Sequence, residues 1–292
     1  MGNPLIEVQK YGQSIWYDNI RRGIITSGEL QSMVDKDGLL GITSNPAIFE
    51  KAVVESHDYD QAIKTLVAQG VGSAKDIYER LAIEDIQWAA DVLHPVYERT
   101  SGRDGYVSFE VAPDLAHDTE GTVKEARRAR AALGRDNVLI KVPGTPEGMP
   151  AIATLIGEGI SVNVTLLFSV DAYVACANAY MEGLERLVAR RGEPARIASV
   201  ASFFISRIDS LVDELLAKQI AAATDPARRA KLEKLQGEVA IATKFGWKWD
   251  DLPEIDLKDV KLQDRLASDP ASIKRACEGC LKRLRVERIE VR

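Results

Sequence analysis

The stretch Asn137-Val138-Leu139-Ile140-Lys141-Val142-Pro143-Gly144-Thr145-Pro146 decides the fold. An apolar run closed at once by turn residues reads as a buried parallel strand. Lys141 interrupts that run, in a place where an ammonium is costly to bury without a partner. It must be paired or held neutral, and a neutral lysine amine attacks carbonyls to form Schiff bases. The plain alternative is a lysine snorkelling from a strand end to water. On this stretch alone, that alternative wins.

The pattern recurs along the chain. Ser14-Ile15-Trp16-Tyr17-Asp18 ends in a carboxylate, and Leu40-Gly41-Ile42-Thr43-Ser44-Asn45-Pro46 ends in an amide before proline. Tyr106 to Val111 carries Glu110, Ile160 to Thr165 carries Asn163 and Thr165, and Ala198 to Phe203 carries Ser202. Alternation puts residues i and i+2 on one face of a strand. It aligns Ser108 with Glu110, Leu139 with Lys141, and Asn163 with Thr165. Many strand ends feeding one polar site is the arrangement of a (β/α)8 barrel, which works at its C-terminal face.

Helical patterns fill the intervals. Thr145-Pro146 reads as a helix start that runs out near Gly157 and Gly159. Ser169 caps a longer pattern with Val174, Cys176 or Ala177, Met181, Leu184 and Val188 on one face, stopped by Gly192. Asp118 can cap the segment 120–133, where Val123, Ala126, Ala129 and Leu133 share a face. Strands two and three are separated by roughly sixty residues, too many for a plain connection. The clearest helix there covers 77–97. Strands alternating with helices indicate α/β with a parallel sheet.

A chain of 292 residues suits one barrel. Its net charge of -6, without a basic block, argues against nucleic acid as a partner. No apolar stretch reaches membrane-spanning length and the start has no signal-peptide core, so a cytoplasmic protein without a membrane partner is expected. Three cysteines cannot build a disulfide framework. Cys277-Glu278-Gly279-Cys280 has CxxC spacing, but it sits in an amphipathic helix pattern without a second ligand pair. His57, His94 and His117 are scattered, so neither a metal site nor a Ser-His-Asp triad is expected. The loop 144–148 reads as a turn into a helix, not as a nucleotide cradle.

Five ordered segments carry a resemblance. GITSNPAIFEKA at 41–52, VSFEVAPDLAHDT at 107–119, NVLIKVPGTPEG at 137–148, ISVNVTLLFS at 160–169 and ASVASFFISRID at 198–209 together resemble transaldolase, in its longer bacterial branch. The likeness runs from about residue 5 to about residue 240. It implies a class I aldolase with neither metal nor cofactor, moving a dihydroxyacetone unit between sugar phosphates. Lys141 matches the Schiff-base lysine, and Asp18 the carboxylate that takes and returns the C4 hydroxyl proton. Glu110 matches the acid/base that works with Thr165 and a water in carbinolamine formation and dehydration. Asn45, Asn163 and Ser202 match groups that hold the dihydroxyacetone hydroxyls, with Thr43 among the substrate contacts. Arg207 matches the phosphate contact, where a guanidinium can grip two oxygens.

Residue by residue, simpler readings compete. Asp18 could cap a helix, Asn45 could be a turn residue before Pro46, Glu110 could serve a structural ion pair, Ser202 could be a core hydroxyl, and Arg207 a surface charge. Their alignment at successive strand ends lowers those alternatives together. Ala112 departs from the family, which often has an aspartate there.

The larger departure begins near residue 239. VAIATKFGWKWDD at 239–251 and SIKRACEGCLKRLRVERIEVR at 272–292 resemble an internal piece of an aldo-keto reductase, in which Lys244 matches a tetrad lysine. The tyrosine and histidine partners of that tetrad and the nicotinamide-binding half are missing, so reductase activity is not expected. The organisation expected is therefore 1–238 as a transaldolase-like barrel and 239–292 as a foreign segment. That segment either completes the barrel as strand seven (239–245), a helix (272–286) and strand eight (288–292), or continues the preceding helix and leaves an open edge. Hybrid closure is the favoured expectation, with activity weakened because a foreign segment need not match the older core.

Overall fold

The structure, a computed structural model, describes residues 3–236. The readings placed on 239–292, including both barrel-closing strands, Lys244 and the CxxC pair, lie outside the described residues. Two compact units are distinguished: 3–165 with 176–200, and 166–175 with 201–236.

The helices are α1 (Pro4–Glu7), α2 (Arg22–Thr26), α3 (Glu29–Ser32), α4 (Pro46–Glu55), α5 (Asp60–Ala68), α6 (Ala74–Arg99), α7 (Thr119–Leu133), α8 (Gly148–Gly157), α9 (Val170–Ala189), α10 (Ile205–Ala222) and α11 (Pro226–Glu233). The strands are β1 (Trp16–Tyr17), β2 (Gly41–Thr43), β3 (Tyr106–Glu110), β4 (Val138–Pro143), β5 (Val162–Leu167) and β6 (Ser199–Phe203). They form one sheet in the order β1-β2-β3-β4-β5-β6. Pairing from β1 to β5 is parallel throughout. Sequential parallel strands alternating with helices are the (β/α)8 pattern, here with its first six strands.

Register follows from which side chains must be buried. Thr43 pairs with Ser108, Ser108 with Leu139, Glu110 with Lys141, and Lys141 with Asn163. The alternation read from the sequence therefore continues across neighbouring strands. All six residues of β4 are buried, as a strand covered on both faces requires. Its Val138, Ile140 and Val142 are fully buried, as are Ile152, Leu155 and Ile156 of α8. Gly41 is fixed by contact: a Cβ there would lie 2.4 Å from the Trp16 ring of the neighbouring strand.

Two helices differ from the expected pattern. α8 opens at Gly148, not at Thr145-Pro146. Thr145 instead spans the turn: its Oγ1 accepts from Gly148 N at 3.0 Å and donates to the Ala116 carbonyl at 2.6 Å. In α9 the buried residues are Cys176, Ala179, Gly183 and Leu187, while Val174 and Val188 are exposed. Of the expected stripe Cys176 is buried, but beyond it the buried face falls on Ala179, Gly183 and Leu187 in place of Met181, Leu184 and Val188. A Cβ on Gly183 would sit 2.5 Å from Ile156 Cβ, so close approach to α8 selects that face. α7 matches expectation, with Asp118 Oδ1 accepting from Gly121 N at 2.9 Å and Val123, Ala126, Ala129 and Leu133 buried.

The long segment between β2 and β3 folds as α4, α5 and α6, and it grips the start of α2. Arg22 Nε donates to Asp85 Oδ1 at 2.8 Å, and its NH2 group donates to Glu84 Oε2 at 2.6 Å. Tyr59 Oη donates to Asp85 Oδ2 at 2.7 Å and accepts from Arg22 N at 3.0 Å. Gly23 N donates to Asp58 Oδ2 at 3.0 Å. Orphan amides at a helix start are satisfied in this way by side chains from another element. Burial pushes Asp85 up from the usual carboxylate range, with the Arg22 guanidinium opposing it.

In the second unit, Val212 and Leu216 of α10 pack with Leu232 of α11, joined by Ile208, Ile220, Ala223 and Leu235. Among the described residues no helix is long and apolar enough to cross a membrane.

Asp85→Ala is expected to lower unfolding free energy by about 3 kcal/mol, because the buried Arg22 loses one of its two carboxylates. A urea melt measures it, with Glu84→Ala, at a more exposed partner, costing less.

Candidate active site

Five chain segments of the first unit bring the candidate side chains together. After β1 the chain leaves the sheet at Asp18, which is exposed. Thr43 Oγ1, at the end of β2, donates to Asp18 Oδ1 at 2.6 Å. Ser44 follows, 1% exposed, and its Oγ donates to the Ser108 carbonyl at 2.7 Å. Asn45 caps α4 through Oδ1, which accepts from Ile48 N at 2.9 Å, and Pro46 takes the first helical position. Asn45, expected as a turn residue or a binding group, is thus a helix cap. The cap leaves the Asn45 amide nitrogen as the group with donors to spend.

Lys141 is 5% exposed, inside β4 and not at its tip, so the snorkelling alternative fails. Its Nζ donates to the Ser44 carbonyl at 3.1 Å and lies 3.2 Å from Glu110 Oε2. Of the two choices open to a buried lysine, pairing is the one adopted. The contact with Glu110 has the distance of an ion pair but not the alignment of a hydrogen bond. Oε2 is accordingly buried without a hydrogen-bond partner among the described residues. Such an oxygen has acceptor capacity for a water or a substrate hydroxyl.

Asn163 and Thr165 of β5 are 0% and 1% exposed. Asn163 Nδ2 donates to Ser108 Oγ at 2.9 Å. Groups from just beyond β2 and from β3, β4 and β5 are thus linked in one buried network that includes the amine. The site holds an amine nucleophile, a carboxyl within proton-transfer range, a second carboxylate nearby, and hydroxyl and amide donors. Carbonyl addition through nitrogen with proton shuttling is what such a set can perform.

Electrostatics favour that use. Burial raises Glu110 above the usual carboxylate range; the Lys141 ammonium opposes the rise and the Asp18 charge adds to it. A carboxyl held up in this way can take a proton from a neighbouring ammonium and give it back. Tyr78 of α6 is pushed up to about 12 by burial, then by Glu110 and Glu50.

Ser202 lies in β6 and Arg207 in the first turn of α10, both in the second unit. The Arg207 guanidinium carbon stands 4.7 Å from the centre of the Phe204 ring. Sequence reading missed two residues. Ser44 entered only as part of a strand, and Ser108 only as a face-mate of Glu110. The alternation pointed to Ser108, but a main-chain carbonyl such as that of Ser44 leaves no signature in residue type. Among the described residues, no group of three or more His, Cys, Asp and Glu side chains is placed to hold a metal ion.

Comparison with known proteins gives the family of the chain. The model of the transaldolase/fructose-6-phosphate aldolase family matches residues 15–247. A transaldolase of Trichodesmium erythraeum is 53% identical over 243 residues, covering 82% of this chain and 63% of the relative. Transaldolase 2 of Nostoc punctiforme is 53% identical over 241 residues, with the same coverages of 82% and 63%. A transaldolase of Thermobifida fusca is 45% identical over 242 residues, covering 83% and 65%. The chain therefore belongs to the transaldolase/fructose-6-phosphate aldolase family, and it spans about three-fifths of the length of these relatives.

An NMR titration of the Glu110 carboxyl carbon is expected to place its midpoint above the ordinary glutamate range. Opposite charge favours the ionised form, so Lys141→Met moves the midpoint further up. Removing a like charge does the reverse, so Asp18→Asn brings it down.

Proposed function

We propose that this chain carries the transaldolase reaction: transfer of a dihydroxyacetone unit from a ketose phosphate to an aldose phosphate through a Schiff base on Lys141. The donor and acceptor pairs are those of the family, sedoheptulose 7-phosphate with glyceraldehyde 3-phosphate, and erythrose 4-phosphate with fructose 6-phosphate. One observation carries the reading: a buried lysine nitrogen 3.2 Å from the buried Oε2 of a half-buried glutamate whose proton affinity is raised.

The steps balance on groups within reach. The Lys141 ammonium gives a proton to Glu110 and attacks the ketose C2 carbonyl as an amine. Within the adduct a proton passes from nitrogen to oxygen, forming a neutral carbinolamine. Glu110, with Thr165 and a water, then protonates the carbinolamine hydroxyl, which leaves as water and yields the iminium. Electron withdrawal by the iminium lets the C3–C4 bond break as Asp18 takes the C4 hydroxyl proton, releasing the first aldehyde. The enamine left on Lys141 attacks the acceptor aldehyde while Asp18 returns the proton, and hydrolysis frees the new ketose.

Binding roles are those the family resemblance implies, and the chemistry of each residue suits its role. Asn45, whose carbonyl oxygen is committed to α4, offers its amide hydrogens to a dihydroxyacetone hydroxyl. Asn163, its Nδ2 held on Ser108 Oγ, matches a second contact to the dihydroxyacetone unit, from β5. Thr43 orients the Asp18 carboxylate and borders the substrate. For Ser202 and Arg207 the resemblance implies a further hydroxyl contact and the phosphate grip. On this reading the reaction belongs to the pentose phosphate pathway, as the family implies, and runs in the cytoplasm.

Incubation with fructose 6-phosphate followed by borohydride is expected to add a reduced sugar-derived mass to the Lys141 peptide, and Lys141→Met to remove it. Asp18→Asn should keep the adduct but slow aldehyde release by roughly a hundredfold or more, the usual worth of a placed acid/base. Folded wild-type chain that gains no mass would instead be a remnant that only binds sugar phosphates.

A further inference from the structure

We infer that the main-chain carbonyl of Ser44 is a catalytic group of the Schiff-base cycle, and that the Ser44 hydroxyl is what positions it. The inference deepens the reading above and rests on it. Among the described residues, Lys141 Nζ has the Ser44 carbonyl oxygen at 3.1 Å and Glu110 Oε2 at 3.2 Å as polar contacts. Their fates in the reaction differ. Glu110 gains and loses a proton, so its attraction for the nitrogen changes from step to step. A peptide carbonyl does not titrate and accepts a hydrogen bond in every step. The protonated imine keeps a single N–H, and the atoms around C=N lie in one plane. An acceptor fixed at that N–H therefore sets the plane, and with it the orientation of the C3–C4 bond that must break.

The carbonyl is held where this role needs it. β2 ends at Thr43, paired with Ser108, so Ser44 is the first residue beyond the strand. A chain released there could swing its carbonyl away. The buried 2.7 Å bond from Ser44 Oγ to the Ser108 carbonyl prevents this. Ser108 is held in turn, its Oγ accepting from Asn163 Nδ2 at 2.9 Å. Asn45 fixes the other side of the peptide by capping α4. Ser44 is thus clamped between a strand partner and a helix start, with its oxygen on the reacting nitrogen.

The test is the rate of borohydride-trapped adduct on Lys141 with fructose 6-phosphate, in wild type, Ser44→Ala and Ser44→Thr, each with a thermal melt. Ser44→Ala is expected to slow trapping roughly tenfold to a hundredfold, the range for one hydrogen bond to a charged group. Ser44→Thr, which keeps the hydroxyl, should return the rate to within a few-fold of wild type. Should Ser44→Ala not fold, Ser44→Cys, similar in shape with a weaker donor, takes its place with the same slowing expected. Wild-type trapping rates in Ser44→Ala, or equal losses in folded Ser44→Ala and Ser44→Thr, overturn the inference and leave the Schiff-base reading standing. No adduct on wild type removes both.

Discussion

A lysine nitrogen buried between a carboxyl and a peptide carbonyl is the constraint on which the rest depends. Placing an amine inside β4 is costly unless polar groups meet it there. Glu110 opposes it in the β3–β4 register and Asn163 in the β4–β5 register, so the sheet itself delivers partners. The Ser44 carbonyl reaches it from the end of β2. The same burial raises the proton affinity of Glu110, which on the proposed reading lets a structural pairing also serve for proton transfer. Stability and chemistry share one set of atoms.

The second constraint acts on Asp18. A two-residue β1 offers little to hold the loop that follows it. Holding is supplied from outside, by the segment between β2 and β3: Asp58, Tyr59, Glu84 and Asp85 bind the start of α2, four residues beyond Asp18. Thr43 holds the carboxylate itself. The length of that connection, surplus to what a barrel needs, thereby has a physical use. Both sets of residues lie within residues 15–247, the region that matches the family model.

Much of the first six strands was legible in the sequence because two signals coincided. Period-two alternation set the faces, and a polar residue interrupted each apolar run where a site was needed. Lys141, Glu110 and Asn163 were found that way, and their registration across β3, β4 and β5 followed. The parts that were not legible share a cause. The displaced face of α9 depends on how closely Gly183 approaches Ile156, a fact of packing that apolar periodicity does not encode. The start of α8 depends on Thr145 spending its hydroxyl on the preceding turn. The contribution of Ser44 comes from a backbone atom common to all residues. Asn45 was read as either turn residue or binding group, whereas one end of its side chain caps α4 and the other retains its donors.

The central claim is that Lys141 forms a covalent bond to a ketose with Glu110 and Asp18 at hand. A crystal structure of the chain soaked in fructose 6-phosphate tests it most directly. The expected map is continuous from Lys141 Nζ to a dihydroxyacetone-derived carbon, with the nitrogen still on the Ser44 carbonyl and both carboxyl groups against the adduct. A sugar phosphate bound at the same place with a clear gap to Nζ, or a Lys141 amine turned away from Glu110 toward solvent, would contradict it.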